Sequence, residues 1–152
     1  MSYEVVARPL RVAVLTVSDT RTLETDKGGN KVQEFLEQAN HIVAERKIVI
    51  DDYDSIRNAM IPWCNDESID VIISIEAVNS LYEKHIPGFG EIFRYLSYTE
   101  DIGTKAMASR AEAGVNNNTL MFSVPGSVGA VTLAMSKLII PEMAHLVREI
   151  TK

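Results

Sequence analysis

An α/β fold, a three-layer sandwich with a mostly parallel central sheet, is what this 152-residue sequence predicts. Short apolar runs rich in β-branched residues, RVAVLTV at 11–17 and DVIIS at 70–74, read as strands buried on both faces. Between such runs lie stretches whose apolar residues recur at helical spacing. The two kinds of segment alternate along the chain, and right-handed crossovers turn that alternation into a parallel sheet with helices on both sides.

The elements follow in order. Residues 1–9 read as an N-terminal arm, either a frayed tail or an oligomer contact, ahead of a single domain over 10–152. The first strand, 11–17, ends in Ser18-Asp19-Thr20, and the loop to Asp26 is rich in threonine. Lys27-Gly28-Gly29-Asn30 opens a helix with Val32, Phe35, Leu36 and Ala39 on one side, and Asn40 suits a left-handed cap. Residues 41–50 form a second strand, and Asp54 or Ser55 caps the helix that carries Ile56, Ala59, Met60 and Trp63. Pro62 kinks or ends that helix. A third strand covers 70–74 and a helix 75–83. Residues 86–90, IPGFG, read as a stiff turn, followed by helices over 91–99 and 104–112 and a loop over 114–118. A late strand at 119–124, a helix at 128–139 and a last helix begun by Pro141 complete the chain.

The joint Ser74-Ile75 conflicts with this scheme. A strand hands over to its crossover helix through a loop of roughly two to six residues. Here Ile75-Glu76-Ala77-Val78 follows directly, with no Gly, Asn, Asp or Pro to make a turn. The sequence therefore predicts that Ser74 and Ile75 are not bonded neighbours.

Composition narrows the function. A hydrophobic content of 46% and a charged content of 24% are ordinary for a globular protein. A net charge of -6 argues against a general nucleic-acid binder. The one cysteine, Cys64, excludes an internal disulfide and fits a reducing cytosol. No uninterrupted apolar run nears the ~20 residues of a membrane span, and MSYEVVARPLRV has no signal-peptide pattern. The expectation is a cytoplasmic protein with neither nucleic acid nor membrane as partner.

Open parallel sheets bind ligands beyond the carboxyl ends of their strands. The strands here end on Ser18-Asp19, Asp51-Asp52, Ser74 and Pro125-Gly126-Ser127. The last set is a strand, a glycine turn and a helix start, where free N–H groups favour an anion, although Ser127 reads equally as a plain helix cap. Gly28-Gly29 lets backbone approach a ligand closely, or simply makes a flexible loop. Asp51-Asp52 suits a magnesium ion shared with substrate phosphates, and also suits the positive end of the next helix. His41, His85 and His145 lack metal-ligand spacing. Cys64 beside Trp63 reads as core, Ser109-Arg110 as surface, and Phe89 between two glycines as a subunit contact.

Several stretches together resemble a known family. LTVSDTR at 15–21, IVxDD at 48–52, IPGFGEIFRYLSY at 86–98, IGTKAMASRAEAG at 102–114 and VPGSVGA at 124–130 look like the MoaB/Mog family of molybdenum cofactor biosynthesis proteins, nearer its MoaB-type branch. The resemblance implies a protein that binds molybdopterin and, in active members, adenylates it with ATP and Mg2+, and that assembles as a homotrimer or homohexamer. It implies that Asp51 serves the adenylation and metal site, that Ser18 and Asp19 line the pocket, and that Gly28 and Gly29 belong to a D-x-x-G loop. Ser74 would border the ligand, and Pro125, Gly126 and Ser127 would form the loop on the pterin and phosphate side. The implied chemistry is attack of the molybdopterin phosphate on the α-phosphorus of ATP, which needs mainly positioning and charge neutralisation.

One departure from the family is large. Its TGGTG-type loop and the following R-D-V-T-type segment, with a second acidic residue, are missing between Ser74 and Ile75. The readings are a molybdopterin adenylyltransferase whose glycine loop belongs at this joint, a non-catalytic molybdopterin-binding or scaffold member with a true deletion, and, more remotely, a flavodoxin-like flavin binder using the hydroxyls of 18–25.

Overall fold

The computed structural model describes residues 8–76 and 81–151. Its strands are β1 (Arg11–Val17), β2 (Ile42–Val49), β3 (Val71–Ile75), β4 (Lys84–His85), β5 (Glu112–Asn116) and β6 (Thr119–Val124). They form a six-stranded sheet in the order β2-β1-β3-β6-β5-β4. The pairs β1–β2, β1–β3 and β3–β6 are parallel, and β5 joins both β6 and β4 antiparallel. The helices are α1 (Lys27–Gln38), α2 (Tyr53–Cys64), α3 (Pro87–Glu100), a 3-10 turn (Gly103–Ala108), α4 (Val128–Ala134) and α5 (Ile140–Ile150), with a π-helical segment (Met135–Ile139) joining the last two.

Alternation along the central strands separates two cores. Val12 and Val14, Ile73 and Ile75, and Phe122 and Val124 lie under α1, α3, α4 and α5. Ala13, Leu15, Val17, Ile72 and Met121 face the other way, onto Met60, Trp63 and Cys64 of α2. Layers of helix, sheet and helix result, as expected. Phe89, expected at a subunit contact, is buried instead, edge-on to Phe122 and stacked on the buried Phe93. Pro87 occupies the first turn of α3, where its missing N–H costs nothing, so IPGFG opens the helix rather than preceding it.

The continuous helical run Val128–Ile150 is long and apolar enough, by length and composition alone, to cross a membrane. Charged and polar residues interrupt it, so no single apolar run marks it in the sequence. Its apolar side, with Val131, Ala134, Met135, Ile139, Met143 and Val147, is buried in the first core. Pro141 is accommodated at the start of α5 beside the π-helical segment.

Three expectations fail at the centre and far side of the sheet. Ser74 and Ile75 are bonded neighbours within β3, and Ile75 pairs with both Thr16 and Val124. The chain turns one residue later, at Glu76, whose φ of 67 lies in the left-handed region that non-glycine residues rarely adopt. The helix expected over 75–83 does not form at its described ends: Ile75 is strand, Leu81 to Glu83 are not helical, and Lys84–His85 follows as a strand. Residues 77–80 lie outside the described residues. Finally, β5 occupies part of an expected helix and an expected loop. Its hairpin to β6 turns on Asn117 and Asn118, with φ of 51 and 69, the two-residue turn that matches strand twist.

Residues 1–7 of the expected arm lie outside the described residues, and the segment that enters β1 is held by a clamp. Arg8 donates to both carboxylate oxygens of Asp70 at 2.9 and 2.8 Å, and Arg11 N–H adds a third bond at 2.9 Å. Leu10 N–H donates to His41 Nδ1 at 3.0 Å, which requires an unprotonated Nδ1. Burial lowers the His41 pKa, opposed by the Asp70 charge. Burial pulls Asp70 upward, but the Arg8 and Arg11 bonds outweigh it and hold the carboxyl below its ordinary value. In both cases the unfolded chain binds more protons in the window below the ordinary pKa, so stability falls as pH falls. Urea midpoints are expected to drop first as pH passes below about 6.5 and again below about 4, where carboxylates protonate. His41→Asn, which keeps an acceptor without a titrating ring, is expected to weaken the first step. An unchanged first step in that variant would assign it to another group.

Candidate functional site

The ends of the parallel strands are in register. Thr16 pairs with Ile48 and Ile75, and Ile75 with Val124, so the residues that follow gather on one edge. The chain leaves β1 through α1 toward β2, then crosses through α2 to β3 on the other side of β1. Helices α1 and α2 therefore lie on opposite faces, and β1–β3 is the point where connections diverge and a crevice opens.

On the β1–β2 side stand Ser18, Asp19 and Asp51. Ser18 N–H donates to Val49 O at 2.8 Å, and its hydroxyl accepts from Thr20 and Arg21 N–H at 3.3 and 3.1 Å, which fixes the turn after β1. Asp19 Oδ1 accepts from Asp51 N–H at 3.0 Å, joining the ends of the two strands. Asp19 and Asp51 are both exposed. Asp52, rather than Asp54 or Ser55, caps α2, accepting from the Ser55 hydroxyl at 2.8 Å and from Ser55 N–H at 2.9 Å, and the hydroxyl bond, then the N–H bond, hold its carboxyl below the ordinary value.

On the β3–β6 side stand Gly28 and Pro125-Gly126-Ser127. A Cβ on Gly28 would lie 3.2 Å from Gly126 O, so the start of α1 rests directly on the loop after β6. Ser127 caps α4, its hydroxyl accepting from Ala130 N–H at 3.1 Å. Gly126 N–H donates to Glu76 Oε1 at 2.8 Å.

Ser74 does not belong here. It is fully buried, one residue short of the strand end, with its hydroxyl 2.9 Å from Ser123 Oγ, which is itself 2.8 Å from Tyr82 OH. Burial pushes the Tyr82 phenol up to about 12, with the Ser123 bond opposing, so Tyr82 stays protonated and closes this internal hydroxyl chain. Cys64 is equally remote from chemistry: burial and the Glu83 charge raise its thiol to about 11.

The edge is organised by Asp26, the aspartate of the D-x-x-G stretch. Asp26 is completely buried at the N-terminus of α1. Its Oδ2 accepts from Thr16 Oγ1 at 2.6 Å and from Arg46 Nη2 at 3.1 Å, and its Oδ1 from Gly29 N–H at 3.0 Å. A Cβ on Gly29 would fall 2.1 Å from Asp26 Oδ2, so only glycine fits. Gly29 thus serves the carboxylate, while Gly28 serves the approach of two loops. The signal was present as Asp26 three residues before Gly29, a helix-start pattern.

Among the described residues no group of three or more His, Cys, Asp or Glu side chains is placed to hold a metal. Of the expected magnesium pair, Asp51 is exposed at the strand end and Asp52 is engaged in capping α2. Ser109 and Arg110 lie elsewhere, lining a cavity of about 650 Å³ with His85, Arg94 and Glu112.

A family model described as "Probable molybdopterin binding domain" matches residues 13–145. Molybdenum cofactor biosynthesis protein B of Bacillus subtilis (strain 168) is 52% identical, with 94% of this chain and 91% of that protein covered. The chain belongs to the MoaB/Mog family of molybdenum cofactor biosynthesis proteins. A crystal structure of molybdenum cofactor biosynthesis protein B matches this family member with a TM-score of 0.90 at 42% identity, covering 95% of this chain and 98% of the other. The tungsten cofactor synthesizing protein MoaB from Pyrococcus furiosus follows at 0.81 and 28%, covering 95% and 99%. The match to the Bacillus protein spans 155 aligned positions, more than the 152 residues of this whole chain, of which it uses 94%. The relative therefore carries residues within the matched region that this chain lacks.

Proposed function

We propose that this MoaB/Mog family member binds molybdopterin at the carboxyl edge of its sheet, between Ser18, Asp19 and Asp51 on one side and Gly28 and Pro125-Gly126-Ser127 on the other. The observation that carries the reading is the seating of Gly28 on the carbonyl of Gly126, which presents two motif loops as one surface. The surface joins hydroxyls and backbone N–H groups, suited to a pterin and its phosphate. A cytoplasmic location goes with this reading, supported by a free, buried cysteine.

A second reading adds adenylyl transfer from Mg-ATP, and it is favoured by the exposed carboxylate of Asp51 at the end of β2, where the Asp51 N–H bonds to Asp19. Against it stands the unbroken β3, which passes from Ser74 through Ile75 with no glycine-rich cradle for the nucleotide phosphates. We assign the residues that this chain lacks relative to the Bacillus protein to that joint. Binding without efficient adenylation is then the reading that fits best. Titration calorimetry is expected to show heat with molybdopterin and little with Mg-ATP, and flavin mononucleotide to give none. Asp51→Ala, an exposed change that should alter stability by less than about 0.5 kcal/mol, is expected to remove whatever magnesium-dependent nucleotide binding remains. Tight flavin binding alone, or silence with molybdopterin, would overturn the proposal.

A homo-oligomer, trimer or hexamer, completes the reading. Its support is the outer side of α3, where Ile92, Tyr95 and Tyr98 are exposed at helical spacing, with Ile102 and Met107 beyond.

A further inference from the structure

We propose that Glu76 is an internal competitor for the anion position of the loop 125–127, so that a ligand phosphate enters only by displacing the chain's own carboxylate. The inference rests on the reading above, in which that loop receives a phosphate. It starts from two contacts. Gly126 N–H donates to Glu76 Oε1 at 2.8 Å. A Cβ on Gly126 would fall 2.6, 2.7 and 2.9 Å from Glu76 Cγ, Cδ and Oε1, so the carboxylate arm lies in the space a side chain would take.

The backbone delivers the arm there. Glu76 N–H bonds to Val124 O at 2.9 Å, extending the pairing of β3 with β6 by one residue. Glu76 itself turns into the left-handed region at φ 67. This conformation disfavours a residue with a Cβ, and the bond to Gly126 offsets the cost. A second carboxylate lies close by: a Cβ on Gly129 would be 3.1 Å from Asp101 Oδ2. The chain thus places its own anions around a loop suited to an external one.

An oxyanion on a backbone N–H makes the same charge-assisted bond whether it comes from glutamate or phosphate. The internal one is tethered and needs no association entropy, so it suppresses the external one until displaced.

The test titrates inorganic pyrophosphate into the isotope-labelled full chain and follows the Gly126 amide resonance. Glu76→Ala and Glu76→Gly are expected to reach half-saturation at about tenfold lower pyrophosphate than the wild type, the loss of one charge-assisted bond. Glu76→Gln should fall between. Glycine adopts the left-handed conformation freely, so Glu76→Gly keeps the test valid if the alanine variant folds poorly. Equal midpoints in wild type and variants, or no response of Gly126 in Glu76→Gly, overturns the competition. Pyrophosphate binding that tightens as expected while molybdopterin fails to bind Glu76→Gly would leave the competition standing and remove the molybdopterin reading instead.

Discussion

Asp26→Ala is expected to destabilise the protein by about 3–5 kcal/mol, because it leaves a charged partner buried without compensation. The Arg46 side chain is 12% exposed and gives Nη2 to this carboxylate. Its Nε is already buried without a partner among the described residues. Its Nη1 is held by Gln33 Oε1 at 3.0 Å, so the guanidinium cannot easily swing out. Thr16 Oγ1 and Gly29 N–H lose their acceptor in the same step. Urea unfolding of the variant should show the drop in midpoint with an unchanged slope. Asp26→Ala combined with Arg46→Met is expected to recover part of the loss, since removing both charges is far cheaper than removing one. A loss below about 1 kcal/mol in the single variant would mean that water replaces the carboxylate.

Ile92→Asp with Tyr95→Asp is expected to convert the oligomer to monomer at micromolar concentration. Tyr95 is 65% exposed and Ile92 50% exposed, whereas Phe93 between them is fully buried. The substitutions therefore act on the outer face and leave the core alone. An aromatic anchor at the centre of an interface commonly contributes 2 kcal/mol or more, about thirtyfold in dissociation constant, and an unpaired charge there weakens association further. Sedimentation equilibrium decides it, with thermal unfolding as the control for folding. A wild-type chain that is already monomeric removes the oligomer proposal, and an oligomer that survives the two changes moves the contact to another face.

Strands with a strong apolar run were legible in the sequence. The first matches its predicted bounds, because RVAVLTV is buried from both sides and needs no tertiary information to be recognised. The fifth strand was hidden by its own packing. Gly114 and Ala113 are poor strand formers, but a Cβ at position 114 would meet Lys84 O and the Tyr82 ring at 2.5 Å. What makes the site glycine is a neighbour distant in sequence, and no local pattern announces it. The same holds for Phe89, whose flanking glycines suggested an outward wedge. One of them, Gly90, is required by the approach of Ala111 O, and the ring turns in against Phe122. At the candidate site, strand ends and glycine turns were visible as motifs. The placement of Ser74 inside the sheet and of Glu76 on the loop depended on which residue of β3 ends the strand, and a joint without turn chemistry misplaced that end by one residue.

The sheet order also bears on how the chain acquires its shape. The central strand is paired only with partners remote in sequence, Val71 with Val12 on one side and with Leu120 on the other. The β5–β6 hairpin is closed at Asn116 and Thr119, with just two residues between. Closing a short loop costs far less chain entropy than bringing distant strands together. The hairpin can therefore form early, whereas β3, with the wholly apolar flanks of VIISI, waits for two long-range encounters. During that wait an uncharged, β-branched segment stands unpaired, the kind of edge that favours self-association until the sheet closes.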